Sequence, residues 1–182
     1  MRIIGGHAGG RRLAVPPAGT RPTTDRVRES LFSSLESMLG GWSGLRVLDV
    51  YAGSGSIGLE ALSRGAQAAA FIERDRRTAA LLRRNIETVA LPGARVIVAD
   101  AAGADVAGPW DLVYLDPPYA VPDDEVRHLL ARLAFEGALA DDALVVVERG
   151  VRSGSPWPDE GWEAVRRRDY GETTLWYGRP AG

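Results

Sequence analysis

The 182-residue chain has no cysteine, no lysine and only two histidines. It has no run of 18 apolar residues either. Without cysteine there is no disulfide framework, no thiolate nucleophile, no iron–sulfur ligation and no cysteine-type zinc site. Covalent activation of a substrate by a thiolate is excluded with them. His7 and His128 lie far apart in the sequence, which argues against a catalytic zinc, and no metal is expected. The lack of a long apolar run excludes a membrane-spanning helix, so no membrane partner is expected. The opening Met1-Arg2-Ile3-Ile4-Gly5-Gly6 lacks the apolar region and cleavage site of a signal peptide, and the expected location is cytoplasmic.

What is present is ordinary in amount and uneven in placement. Apolar residues make up 45% and charged residues 25%, enough for one well-packed domain. All 22 basic residues are arginine, and the net charge is −2. Residues 1–28 carry six arginines (2, 11, 12, 21, 26 and 28) against Asp25, a balance of +5. The remainder carries 16 arginines against 23 acids, a balance of −7. A basic arm therefore precedes an acidic body. The boundary is set at residues 1–20 for arm and linker and 21–182 for the catalytic domain.

Arg2–Gly6 and Arg11–Val15 flank His7-Ala8-Gly9-Gly10 and read as a small hairpin. Val15-Pro16-Pro17-Ala18-Gly19 breaks the pattern. Val27, Leu31, Leu35, Met38 and Leu39 follow at helical spacing behind a Thr23 or Thr24 N-cap, and Gly40-Gly41 stops the helix. Strands are expected at Leu45–Val50, Ala68–Glu73, Ala94–Ala99, Asp111–Leu115 and Ala143–Glu148. Helices are expected at Gly55–Arg64, Asp75–Leu91 and Asp123–Phe135. Unbroken apolar strands alternating with helices indicate a doubly wound, mostly parallel α/β sheet of Rossmann-like type. Trp162–Asp169 and Thr173–Gly178 flank Tyr170-Gly171-Glu172 and indicate a closing antiparallel hairpin.

The first strand runs into Asp49-Val50-Tyr51-Ala52-Gly53-Ser54-Gly55-Ser56-Ile57-Gly58. Gly53, Gly55 and Gly58 have the G-x-G-x-x-G spacing of a nucleotide-binding turn, which fits a nicotinamide dinucleotide as well as other cofactors. Asp49 tilts the choice. A carboxylate sits badly beside a pyrophosphate but well beside the sulfonium and ammonium of S-adenosylmethionine. Its other reading is a cap on the N–H groups of its own loop. Glu73, ending strand 2, suits ribose hydroxyls. Asp100, after strand 3, suits an adenine amine or a turn.

Strand 4 ends in Asp116-Pro117-Pro118-Tyr119. Two prolines remove two N–H donors, leaving the Asp116 carboxylate and backbone carbonyls as acceptors and Tyr119 as a flat face. Such a loop suits the exocyclic amine of a base drawn out of its stack. Asp116 orients the amine and Tyr119 stacks on the ring. Guanine presents two donors side by side, which an acceptor-only carboxylate can take, whereas adenine presents a donor beside an acceptor.

These two motifs and Glu73 resemble those of class I S-adenosylmethionine-dependent amino-methyltransferases. Arg2-Ile3-Ile4-Gly5-Gly6, Gly10-Arg11-Arg12-Leu13 and Arg21-Pro22-Thr23-Thr24-Asp25-Arg26-Val27-Arg28-Glu29-Ser30-Leu31-Phe32 resemble, more narrowly, the RsmD-type 16S rRNA guanine-N2 methyltransferases. The resemblance runs from residue 2 through the Pro-Pro-Tyr loop. It implies methylation of the N2 amine of one guanine, called guanine 966 in the family name, in the small ribosomal subunit, with S-adenosylhomocysteine as product.

The expected cofactor residues are Asp49, Tyr51, Ala52, Gly53, Ser54, Gly55, Glu73, Arg74, Asp100 and Ala101. Thr23 and Arg26 join them if the Arg21–Glu29 block folds over the pocket as a lid. Arg2, Arg11, Arg12 and Arg21 are the expected RNA contacts. A monomer is expected. Three other readings stand beside this one: an adenine-N6 methylase, a non-catalytic RNA-binding assembly factor and a nicotinamide oxidoreductase. Asp116–Tyr119 speaks against the second, and Asp49 with the Pro-Pro loop against the third.

Overall fold

The computed structural model describes residues 1–17 and 25–181. Their elements follow the order α1 (Asp25–Leu39), β1 (Arg46–Val50), α2 (Ser56–Arg64), β2 (Ala68–Ile72), α3 (Arg76–Val89), β3 (Ala94–Ile97), β4 (Trp110–Leu115), α4 (Asp123–Phe135), β5 (Leu139–Gly150), β6 (Trp162–Tyr170) and β7 (Thr173–Pro180). The seven strands form one sheet in the order β3-β2-β1-β4-β5-β7-β6. β1 to β5 pair in parallel, and β7 is antiparallel to both β5 and β6. The expected Rossmann-like sheet with an antiparallel end is the observed fold. β1 lies between β2 and β4, so the strand order reverses there and a crevice opens at the carboxyl ends of β1 and β4.

Element ends differ from expectation for local reasons. α3 stops at Val89, two residues short of Leu91, because Ala90 turns left-handed (φ 51°) and Pro92 disfavours a helical Leu91. β3 stops at Ile97, short of Ala99, where its partner β2 ends at Ile72. β5 begins four residues before Ala143, because Leu139 pairs with Trp110 ahead of a register shift. The proposed caps Thr23 and Thr24 lie outside the described residues.

Strand alternation sends side chains to two cores. Val47, Leu112, Tyr114, Leu144 and Val146 pack on one face with α1, α2 and α3. Leu48, Val50, Val113, Leu115, Val145 and Val147 pack on the other with α4.

The N-terminal segment doubles back around residues 7–10 through one antiparallel bridge, Arg2 to Arg12. Backbone bonds Ile3 to Arg11, Gly10 to Ile3 and Leu13 to Met1 close it. The segment is built into the domain: Ile3, Ala8 and Leu13 are buried in the α1–α3 core. Glu60 of α2, fully buried, accepts N–H bonds from Ile4 (2.7 Å) and Gly5 (2.9 Å) and pairs with Arg64 (2.9 Å). The Ser63 hydroxyl accepts from Ala8 N–H (2.9 Å) and donates to the Gly5 carbonyl. Asn85 of α3 exchanges two bonds with the Ala14 backbone.

Glu60→Ala leaves two backbone donors and Arg64 without their buried acceptor, so a loss of about 3 kcal/mol of unfolding free energy is expected in urea titrations. Glu60→Gln keeps one acceptor oxygen but sets an amide N–H against the other donor, and should fall between.

Candidate active site

Asp49, Tyr114, Asp116 and Glu148 share one sheet face by alternation. Asp49 is two residues on from Val47, Asp116 two from Tyr114 and Glu148 two from Val146. The pairings Asp49–Tyr114 and Leu115–Val147 set them side by side at the carboxyl ends of β1, β4 and β5. All four line one cleft, together with Tyr51 to Ser54 of the glycine loop. Met1, Val15 and Pro16 of the N-terminal segment and Arg28 of α1 line it as well.

The glycines divide their tasks. A side chain on Gly58 would meet the Phe71 ring at 2.4 Å, so that glycine allows α2 to lie on β2. Gly55 is left-handed (φ 76°), and a Cβ there would meet Leu82 at 2.2 Å. Both therefore serve packing. Gly53 (φ 56°) has only the Tyr51 carbonyl within 4.0 Å of a notional Cβ, leaving backbone open to a ligand. Tyr51 also holds a positive φ of 62°, strain of a kind concentrated at functional loops. Its hydroxyl is buried without a hydrogen-bond partner. Burial pushes its pKa up to about 12, with repulsion from Glu125 and Asp100 adding.

Asp49 is 3% exposed and accepts the Gly58 N–H at 3.0 Å. It thus caps α2, the alternative foreseen for it, and also faces the cleft. Burial raises its pKa to about 7, Glu73 repels it further, and the Gly58 bond opposes the rise. Glu73 accepts from Gly53 N–H (3.0 Å) and Asp75 N–H (2.8 Å), fixing the loop to β2. Arg74 and Asp100, both exposed, lie 3.8 Å apart in an ion pair. Asp100 also accepts the Ala102 N–H (3.0 Å), the turn role considered for it. Ala101 is buried in the α4-side core. Among the described residues no group of His, Asp and Glu is placed to hold a metal ion.

Asp116 keeps an open face toward the cleft. Desolvation by the surrounding protein raises its pKa well above the usual carboxylate range; Glu148 and then Asp49 add repulsion, and Arg149 opposes. Pro117 is buried and Pro118 exposed, with the Pro118 carbonyl accepting the Val121 N–H at 2.9 Å. Tyr119 is 72% exposed, and its ring edge lies 3.3 Å from where a Gly150 side chain would begin. Behind the loop, buried Arg149 donates to the Val121 carbonyl (2.8 Å) and to Asp123 (2.7 Å).

Among the cleft residues that were not foreseen, three carry ionisable side chains: Glu148, Tyr114 and Arg28. Glu148 lies near the end of β5, as Asp49, Glu73 and Asp116 lie near or just beyond the ends of theirs, and that common position was the available signal. Its Oε2 accepts the Tyr114 hydroxyl at 2.5 Å. Burial raises the Glu148 pKa while this bond opposes the rise. Burial, then Glu148, drives the Tyr114 hydroxyl well above its ordinary range. Arg28 is 1% exposed and donates to the Arg2 carbonyl (2.5 Å) and Asp25 (2.9 Å), while its Nε and Nη1 are buried without partners. Its signal was a charge in the stripe formed by Phe32 and Leu35.

Arg26 is exposed on α1. Arg2 is largely exposed and pairs with Asp25 at 3.1 Å. Arg12 is exposed, and Arg11 donates to the Thr88 and Val89 carbonyls at the end of α3. Arg21 and Thr23 lie outside the described residues. Arg166, Arg167 and Arg168 stand exposed on edge strand β6, with Arg167 stacked over Trp176 at 4.8 Å.

A family model described as conserved hypothetical protein 95 matches residues 1–179. The chain is 40% identical over 175 residues to ribosomal RNA small subunit methyltransferase D of Escherichia coli, covering 94% of this chain and 86% of that protein. It is 34% identical over 180 residues to the putative rRNA methyltransferase YlbH of Bacillus subtilis, covering 95% of each. The solved structure of the putative methyltransferase yhhF from Escherichia coli superposes with a TM-score of 0.87 at 38% identity, covering 100% of this chain and 99% of that one.

The Asp49 carboxyl has a pKa near 3.8 when unfolded and about 7 when folded. The native state binds the extra proton between those values, so this group makes stability fall as pH rises through that window. Asp49→Asn is expected to flatten the fall in melting temperature between pH 4.5 and 7.5, measured by calorimetry without ligand.

Proposed function

The chain belongs to the RsmD-type methyltransferase family, described as conserved hypothetical protein 95, and we propose that it methylates the N2 amine of a guanine in 16S rRNA of the small ribosomal subunit, using S-adenosylmethionine. The observation that carries the reading is the position of Asp116. It opens to the cleft beside exposed Tyr119, on the same sheet face as the buried carboxylate Asp49. The relatives' names supply the substrate class. The target nucleotide, guanine 966 in the family name, follows from the resemblance.

The residues fit a cationic cofactor. Asp49 is a buried carboxylate whose ionisation is costly until a positive charge stands near it. Gly53 leaves its backbone approachable, and the orphaned Tyr51 hydroxyl offers a bond. Glu73, Arg74, Asp100 and Ala101 border the nucleoside end in this reading. Bound there, S-adenosylmethionine would supply an electrophilic methyl group, with the neutral thioether of S-adenosylhomocysteine as leaving group.

Asp116 would hold an N2 hydrogen and so orient the amine for attack on the donor's methyl group. As the N–C bond forms, positive charge develops on nitrogen and the nearby carboxylate stabilises it. The surplus proton then passes to Asp116, whose raised pKa suits it as the acceptor, or to water. Tyr119 stacks on the base, with Gly150 leaving room behind its ring. Exposed Arg2 and Arg12 offer phosphate contacts, as do Arg11 and Arg21 in this reading. The protein acts as a monomer in the cytoplasm, where small subunits reside.

Small subunits from a strain lacking the gene provide the test, with methyl transfer followed by nuclease digestion and mass spectrometry. N2-methylguanine is the expected product, and N6-methyladenine would overturn the assignment. Asp116→Ala should bind S-adenosylmethionine within about threefold of wild type by calorimetry, yet lose about 10³-fold in methyl transfer. Tyr119→Ala should lose roughly 10- to 100-fold in kcat/KM, the worth of one base stack.

A further inference from the structure

We propose that Glu148 selects guanine by accepting its N1–H, while Asp116 holds the neighbouring N2–H. The inference rests on the guanine-N2 reading above and assigns the discrimination to a second carboxylate.

Glu148 lines the same cleft as Asp116 and follows Val147, the register partner of Leu115, so the two carboxylates lie at matching positions near the carboxyl ends of adjacent parallel strands, on one face. The Tyr114 hydroxyl holds Oε2, which fixes the carboxylate plane. Among the described residues nothing donates a hydrogen bond to Oε1. The pair thus presents two oxygen acceptors side by side, at the end of a loop from which prolines have removed N–H donors. Glu148 raises the cost of ionising Asp116, so the free site favours an occupant that brings two adjacent donors. Guanine's pairing edge has them in N1–H and N2–H. Adenine, with a donor beside a lone pair, would leave one carboxylate facing that lone pair.

Arg149 binds Asp123 and the Val121 carbonyl, and its donor bonds among the described residues all go to that loop. Arg28 donates to Arg2 and Asp25. Neither guanidinium has a hydrogen bond to Glu148, which leaves it as an acceptor.

The test compares guanine with 2-aminopurine, which keeps the N2 amine but has a lone pair at N1. Small subunits are reconstituted with 16S rRNA carrying either base at the target. Wild-type enzyme should prefer guanine by roughly 10- to 100-fold in kcat/KM, the worth of one hydrogen bond to a charged group. In Glu148→Gln the amide oxygen stays with Tyr114 and the N–H2 turns to the base. Guanine should then react more slowly and 2-aminopurine faster, erasing most of the preference. A merely structural role would lower both substrates alike.

An unchanged preference in a folded Glu148→Gln enzyme overturns the inference while leaving N2 methylation intact. Failure of wild type to methylate guanine at N2 overturns the underlying reading instead. If Glu148→Gln does not fold, Tyr114→Phe frees the carboxylate plane and must shrink the preference, and a preference kept there overturns the inference.

Discussion

Repulsion between carboxylates crowded on one sheet face is the constraint around which the cleft is organised. Parallel pairing of β1, β4 and β5 sets Asp49, Asp116 and Glu148 within reach of one another. Desolvation raises the cost of each charge, Glu73 adds repulsion at Asp49, and Glu148 and Asp49 add it at Asp116. The fold offsets part of this through the Gly58 N–H at Asp49 and the Tyr114 hydroxyl at Glu148. The rest is left to whatever enters. In the proposed reading, a cationic methyl donor beside Asp49 and a pair of N–H donors beside Asp116 and Glu148 would relieve the same strain at two ends of one cleft. Binding and chemistry draw on a single electrostatic debt.

The remaining architecture keeps those groups in place. Glu73 ties the glycine loop to β2, and Gly55 and Gly58 let Leu82 and Phe71 close beneath it. Arg149 grips the exit of the Pro-Pro-Tyr loop from behind. Tyr119 therefore projects from a braced backbone although its own ring is exposed. In the proposed reading, an uncovered flat ring on a braced backbone would receive the base.

The N-terminal segment joins exposed positive charge to the core. Its alternate residues Ile3 and Leu13 are buried, its backbone bonds to Glu60, Ser63 and Asn85, and Met1 reaches the cleft wall. Arg2, Arg11 and Arg12 are therefore carried on a segment fastened to α2 and α3. The positive charge is also partly committed inside the protein: Arg28 and Arg2 converge on Asp25, and Arg11 ends on α3 carbonyls. Arg12 stands exposed beside them.

Much of this was legible beforehand because it follows from local patterns. Apolar runs mark β1, β2, β4 and the middle of β5, and helical spacing marks α1 and α3. The Asp49 loop and Asp116–Tyr119 announce themselves because glycines and prolines restrict backbone and donors at fixed positions. Their adjacency follows from the parallel α/β rhythm. Other features depended on residues distant in sequence. Glu148 gained meaning only when β5 paired with β4, since a carboxylate at a strand end is unremarkable until another stands beside it. Arg28 became a cleft residue, and Arg26 an exposed one, through the rotation of α1 on its apolar stripe. The sequence by itself determined the strand–helix order, the two motifs and the sign of the charge. Tertiary structure decided which charges meet, because electrostatic coupling depends on separation in space and on the water excluded between groups.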